Sequence, residues 1–553
     1  MKQSIIHQRQ VPVFAVKTAV YTATHHVLLS LKAMRRRQHS CGNPNHMTTS
    51  TTTAIPASRQ TRALLWGIFA VYLLLLAHTI AHHELWADEL HSWNIAKGST
   101  SFINLLQNTR YEGHPPLWYT LLWLLSKCTH SLTCVQVLHW FIAGTAVYLL
   151  LFRSPFSLPM RIVLPFGYFF LYEYAAFSRN YAIALVLAFC LCLLLQHNRK
   201  QSLLYYLLLF LLSNTHLLGL VLAAALHLYY LLQQGERQAA RRQIILQALA
   251  GMLVLLPALC FIAPPSNSEM NAGFWASHWN SRQLLTLVQL PQRAFIPIPA
   301  WWNYHWWNTT FLLNSSTTHP ALKLLNPLLS PGLLLLACFI LRNNRKSLLL
   351  FAANFAASCA VSLIFPLNSA RYAGFVFIAF IAALWLYQAT RPIAANRVKY
   401  VYALLCIQLL AAIPALARDW QYPFSNDYRV HELLQQIPAQ EKAVTDYWAL
   451  NTISAYADKP FYCADLQKEV AYILWTSEFS AMLHRPHPFY NGVKTYCTQQ
   501  GIQQVYLLSV LSPVQLQQAD ALLFTAYKVN LVDKREGAIE PGSNLYLYKI
   551  SGQ

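Results

Sequence analysis

Eleven apolar runs fill the chain between Ala63 and Leu416, and they restrict its main body to a polytopic membrane architecture. A helical span needs roughly 17–25 mostly apolar residues. The runs fall at 63–81, 133–152, 160–177, 180–196, 203–214, 216–233, 243–263, 328–341, 347–365, 371–389 and 399–416. The shorter ones need tilt or burial against neighbours. Charged residues make up only 11% of the sequence, against about a quarter in soluble proteins. The net charge of +21 does not signal a nucleic-acid partner, because the Lys and Arg residues stand in short clusters between apolar runs and form no continuous face. Eleven scattered cysteines show no metal spacing, and Cys190 and Cys192 would point to different helix faces, so no zinc site is expected.

The basic clusters assign an orientation. With the N-terminus inside, alternate connections hold Arg153 and Arg161; Arg199 and Lys200; Arg237, Arg241 and Arg242; Arg342, Arg345 and Lys346; and Arg391, Arg397 and Lys399. Short connections on the other side carry only Arg179 and Arg371, the asymmetry of the positive-inside rule. The fold class that follows is an α-helical polytopic membrane protein of about eleven transmembrane helices with a C-terminal extracytoplasmic α/β domain. Residues 1–62, free of acids and carrying Arg35–Arg37, are read as a basic, disordered cytoplasmic N-terminus, with Met47 an alternative start. Residues 63–417 form the membrane domain, with outer loops 82–132 and 264–327, and 418–553 the outer domain. The run His114–Lys127 is too short to span and is expected to lie in the outer interface. The Trp-rich loop 264–327 suits either a lid or an aromatic belt. In the C-terminal domain 442–446, 460–463, 504–510 and 545–550 are expected as strands, and 426–437 and 513–526 as helices. Cys463 and Cys497 both fall on the oxidising side, where a disulfide and free thiols are both open.

Acids are concentrated in one place. Before Asp419 the only acids are Glu84, Asp88, Glu89, Glu112, Glu173, Glu236 and Glu269, so four of the seven lie in the stretch Glu84–Tyr119, just after the first span. A partly desolvated carboxylate there can act as general base on a hydroxyl, and Asp88 is the leading candidate with Glu89 beside it. Glu112 and His114 return at the rigid pair Pro115–Pro116, and Glu84 is read as merely solvated. Arg179 and Arg371 run against the positive-inside trend, and a guanidinium suits an anionic phosphate. They are the expected donor-phosphate contacts, with Arg110 and His114 as weaker candidates. Glu173, an acid inside a span, must pair, protonate or sit near the interface; Arg179 is its expected partner.

The Asp88–Glu89 pair after the first span, His114-Pro115-Pro116-Leu117, and Ser178-Arg179-Asn180-Tyr181 at the turn between the third and fourth spans together resemble the C-type superfamily of membrane glycosyltransferases. The nearest branch is that of the protein O-mannosyltransferases and the lipid A aminoarabinose transferase, with their uncharacterised bacterial relatives. The resemblance covers roughly 63–213. It implies inverting transfer of a sugar from a polyprenyl-phosphate donor to a lipid, glycan or protein acceptor at the outer face of a bacterial inner membrane. Asp88 would be the base or the carboxylate that orients the acceptor, with Glu89 its neighbour, and Tyr181 joins the substrate-binding candidates. That family commonly carries a further Asp after the Arg at this turn; here Tyr181-Ala-Ile-Ala-Leu has no acid, and Glu173 is the available substitute. No cofactor is specified, and a divalent metal stays open. Two other classes fit a chain of many spans: a lipid or solute transporter (a flippase), against which stand the absence of an internal repeat and the one-sided polar material, and an assembly or receptor protein for which Asp88 would be dispensable.

Overall fold

The computed structural model describes residues 58–197, 203–269, 281–315, 320–365 and 367–552. The expected N-terminal tail up to residue 57 lies outside the described residues, as do Trp275 and Trp279. The chain runs through α1 (Arg59–His82), α2 (Ala87–Gly98), α3 (Phe102–Thr109), α4 (Leu117–Ser126), α5 (Leu132–Phe152), α6 (Leu158–Val163), α7 (Tyr181–Gln196), α8 (Leu203–Ser213), α9 (Leu217–Glu236) and α10 (Arg241–Ile262). There follow α11 (Ser281–Phe295), α12 (Phe311–Ser315), α13 (Pro320–Leu341), α14 (Arg345–Ser362), α15 (Ala370–Gln388) and α16 (Ala395–Gln421). Among the described residues six helices, α1, α5, α9, α10, α15 and α16, are long and apolar enough to cross a membrane, with shorter apolar helices between them. Leu246, Leu249, Met252, Leu253 and Leu256 of α10 all lie exposed. So large an apolar surface requires a lipid neighbour. The chain is an integral membrane protein.

Every expected span falls on helix except 160–177, which is broken. Pro165 lacks the N–H an α-helix needs, and there α6 gives way to a 3-10 turn (Leu164–Phe166) and then a π-helical turn (Phe169–Glu173). The break frees the chain to deliver the Ser178–Asn180 turn to the end of the bundle where α1 finishes. The 264–327 segment also differs from an open loop, because α11 packs into the bundle through Leu290, Ala294 and Phe295, and Gln408 donates to the Ala294 and Phe295 carbonyls at 3.2 and 3.3 Å. Its many polar side chains hide this helix from a hydropathy reading. In the 82–132 loop, α2 and α3 are helices where sequence patterning gave none. The short α4 does not cross: its first N–H donates to the Asn214 carbonyl at 3.1 Å, and soon after its end Gln136 reaches the Ile80 carbonyl at 3.2 Å, so the chain leaves and returns at one end of the bundle.

Alternate connections gather at two ends. At one, Lys346 pairs with Glu236, Asn344 donates to Thr390 Oγ1 at 3.0 Å, and Arg397 donates to the Ile340 carbonyl at 3.1 Å. At the other lie α2, the 178–180 turn, the start of α15 and the C-terminal α/β unit. That unit comprises α17 (Val430–Leu434), β1 (Ala443–Thr445), α18 (Tyr447–Ala457), β2 (Phe461–Cys463), β3 (Lys468–Val470), α19 (Ser477–Leu483), α20 (Pro488–Gln500), β4 (Gln504–Ser509), α21 (Pro513–Ala519), α22 (Ala521–Ala526), β5 (Tyr527–Arg535) and β6 (Leu545–Gly552). Its sheet has the order β3-β2-β1-β4-β6-β5, parallel at β2-β1-β4 and antiparallel elsewhere. The four expected strands are β1, β2, β4 and β6; β3 and β5 are additional.

Both Cys463 and Cys497 are free thiols. Successive strand residues face opposite sides: Cys463 packs with Phe461 and Leu508 on one side of the sheet, while Cys497 packs with Tyr462 and Val505 on the other. The Cys463 thiol donates to Asp465 Oδ1 at 2.9 Å. Unfolded in denaturant without reductant, the protein should therefore alkylate at both positions. A mass increment appearing at these cysteines only after reduction would show that they are bridged.

Candidate active site

Asp88 stands in the first turn of α2, where the helix dipole favours a carboxylate. Its Oδ2 accepts from Arg371 Nη1 at 3.1 Å, and its side chain keeps 38% of its surface open to solvent. Arg371, in the first turn of α15, lies over the rings of Trp86, Trp307 and Tyr372 at 5.5, 5.3 and 5.2 Å from their centroids. This aromatic cage suits a delocalised cation. Arg179 reaches the same place from the 178–180 turn, donating to the Asp88 carbonyl and, at 2.9 Å, to Ser92 Oγ. The Nε atoms of both arginines are buried without a hydrogen-bond partner. Each guanidinium therefore keeps an N–H donor that no protein acceptor uses. Burial would raise the Asp88 carboxyl, but Arg179 and Arg371 together outweigh it and hold the group below the usual carboxylate range.

The other expected residues separate into layers. Glu89 is buried and turned away from the opening: its carboxylate accepts the Trp86 N–H at 3.2 Å and the Ser178 N–H, so it ties the start of α2 to the arginine turn. Tyr181 lies beside the site, stacked on Tyr174 at 5.5 Å. His114 is near Arg179 and Asp88; burial, reinforced by Arg179, pushes its imidazole down to about 3. It is a neutral ring with an unpartnered, buried Nδ1, suited to a single hydrogen bond and not to charge pairing with phosphate. Glu112 sits one layer back, accepting from His91 Nε2 at 2.7 Å. Arg110 is exposed at the C-cap of α3 and is not drawn into the site. Glu173 does not pair with Arg179; it is buried and accepts the Tyr168 hydroxyl at 2.7 Å, within reach because the π-helical turn carries both side chains on one side. Glu84 is not merely solvated: its carboxylate accepts the Phe424 N–H at 2.7 Å, and burial raises it to about 7.

Several site residues carry no signal of their own in the sequence. Trp307 is one of six tryptophans in its loop. Glu540, whose N–H donates to the Phe424 carbonyl at 3.0 Å, lies near enough for Asp88 to raise and Arg371 to lower its carboxyl, after the larger upward push of burial. His91 was within reach, because one helical turn separates it from Asp88 once 87–98 is read as helix. Among the described residues no group of three or more His, Cys, Asp and Glu side chains is arranged to hold a metal.

No family model matches the chain, and no curated protein matches it by sequence. Among solved structures the chain is similar to the crystal structure of ArnT from Cupriavidus metallidurans in the apo state, with a TM-score of 0.43 and 13% identity over 88% of this chain and 98% of that one.

Proposed function

We propose that this chain is a C-type membrane glycosyltransferase that moves a sugar from a polyprenyl-phosphate donor to a hydroxyl on an extracytoplasmic acceptor, with inversion. The observation that carries the reading is one accessible carboxylate, Asp88, held beside two arginines with unpartnered Nε atoms at the end of an apolar bundle. In the proposed step the acceptor oxygen attacks the anomeric carbon while the bond from that carbon to the phosphate oxygen breaks. Asp88 takes the hydroxyl proton, and the bonding electron pair leaves on the polyprenyl phosphate. The charge gained by that phosphate is met by Arg371 and Arg179 through charge-assisted hydrogen bonds. His114 and Tyr181 line the donor site, Glu89 positions Asp88, and Glu112 acts through His91. Under this reading the enzyme sits in a bacterial inner membrane, with 82–132, 264–327 and the domain 418–553 on the outer face.

The test is transfer itself. Purified protein in proteoliposomes is offered radiolabelled polyprenyl-phosphate hexoses and pentoses with lipid, glycan and peptide acceptors. Release of polyprenyl phosphate with label appearing on an acceptor is the expected result. Movement of intact donor between leaflets without cleavage would overturn the reading in favour of a flippase.

A further inference from the structure

One face of α2 is held by the C-terminal domain from His91 to its end. His91, Asn94 and Lys97 are spaced three residues apart, which sets them on one side of a helix. Each meets α18. His91 Nδ1 lies 3.3 Å from Asn451 Oδ1, Asn94 Nδ2 donates to the Asn451 carbonyl at 2.8 Å, and Lys97 Nζ donates to the Ser454 carbonyl at 3.3 Å and pairs with Asp458. Below them Gly98 is pressed against Tyr472, whose Cδ1 would be 2.4 Å from any added Cβ. The α2 sequence, ADELHSWNIAKG, has no strong apolar face of its own. It is short for a helix to hold in isolation.

His91 is the centre of this contact. Its Nε2 reaches Glu112 Oε2 at 2.7 Å, so the same ring joins α2 both to α18 and to the turn that leads into His114. The groups facing it are Glu112, Asn451, Asp88, His114 and the Trp475 ring, whose centroid is 5.9 Å away. Burial would lower the imidazole, but Glu112, the Asn451 contact and Asp88 together raise it.

We propose that the C-terminal domain is the positioning element of the site: α18 clamps α2, and His91 is a positioning residue that, through Glu112 and Asn451, fixes where Asp88 stands against Arg371 and Arg179. The inference rests on the glycosyltransferase reading for its catalytic consequence, but the clamp is measurable without any substrate. In the full-length protein Asn451→Leu removes the acceptor for His91, and Asn451→Asp restores one. Hydrogen exchange reports the local opening of α2 directly. Amides 90–98 should exchange faster in Asn451→Leu and in His91→Leu, with α1 and α15 unchanged, and Asn451→Asp should return them to the wild-type rate. With a donor the enzyme uses, kcat should fall about 10–100-fold in the Leu variants while the donor KM stays within about twofold, because misplacement of a base costs rate more than binding, and Asn451→Asp should recover most of the loss. Unchanged exchange of α2 in a folded Asn451→Leu protein overturns the clamp; loosened α2 with undiminished kcat overturns its role in positioning. If wild-type protein turns over no donor at all, that failure belongs to the glycosyltransferase reading, and the exchange rates alone decide the clamp.

Discussion

Asp88→Asn should lower kcat for sugar transfer by about 10²–10⁴-fold, the range lost with a positioned general base, and leave the donor KM close to wild type. The amide is isosteric and can still accept from Arg371, so the pocket keeps its shape and its two guanidinium groups. What disappears is the capacity to take a proton from the attacking hydroxyl. The expected split between kcat and KM separates this from a packing defect, which would lower the yield of folded protein first. A folded Asn variant that transfers sugar within threefold of wild type would remove Asp88 from the mechanism.

The second large effect is expected at Arg371, which faces two tasks. In the structure its bond to Asp88 Oδ2 favours the ionised carboxylate; under the proposed function the same guanidinium also meets the leaving phosphate. Arg371→Ala should therefore raise the donor KM and lower kcat by about 10²–10³-fold, the magnitude seen when one charge-stabilising donor is deleted from an active site. Arg371→Lys should recover only part of this, since an ammonium lacks the planar fork and stacks less well in the cage of Trp86, Trp307 and Tyr372. The pH dependence gives a sharper readout. Against the upward push of burial, Arg179 and Arg371 hold the Asp88 carboxyl below its usual range, so the base stays competent as pH falls and is lost only on passing through that depressed value. Removing Arg371 takes away one of the two main downward influences, and the acid limb of kcat/KM should move to higher pH. An acid limb unmoved by the substitution would mean that Asp88 is not the group being titrated.

The bundle was legible because burial in lipid imposes long apolar runs and because Lys and Arg mark alternate connections; ten of the expected spans coincide with unbroken helix. The run 160–177 was read as one span, because its apolar composition masks the break at Pro165, and the π-helical turn that aims Tyr168 at Glu173 depends on packing against α16 and could not be read locally. α2 went unread for a different reason: the face carrying His91, Asn94 and Lys97 meets the C-terminal domain through polar atoms, so no 3.6-residue apolar period announces it. The same explains Glu84 and His91, whose partners Phe424 and Asn451 are more than three hundred residues away in sequence. Asp88, Arg179 and Arg371 could be singled out because each is a charge where the surrounding composition makes charge rare. The edge strand β5 was missed because its outward residues, among them Lys528, Asn530 and Lys534, interrupt the apolar pattern, as suits an edge that must not recruit another strand.

The hold of α18 on α2 also sets an order of assembly. His91 and Asn451 are 360 residues apart in the chain, and at about 5–20 residues per second of synthesis some 20–70 s separate their emergence. During that interval the helix bearing Asp88 has its contacts to Glu112 and to the Ser178–Arg179 turn but lacks those of α18. The segment 537–543, which bonds to Pro423, Phe424 and Asn426 beside the opening, arrives later still. Under the proposed function, a nascent chain stalled before its C-terminal domain is exported would thus sit in the membrane as an inserted bundle with Asp88 not yet fixed in place, and sugar transfer would begin only once that domain has docked on α2.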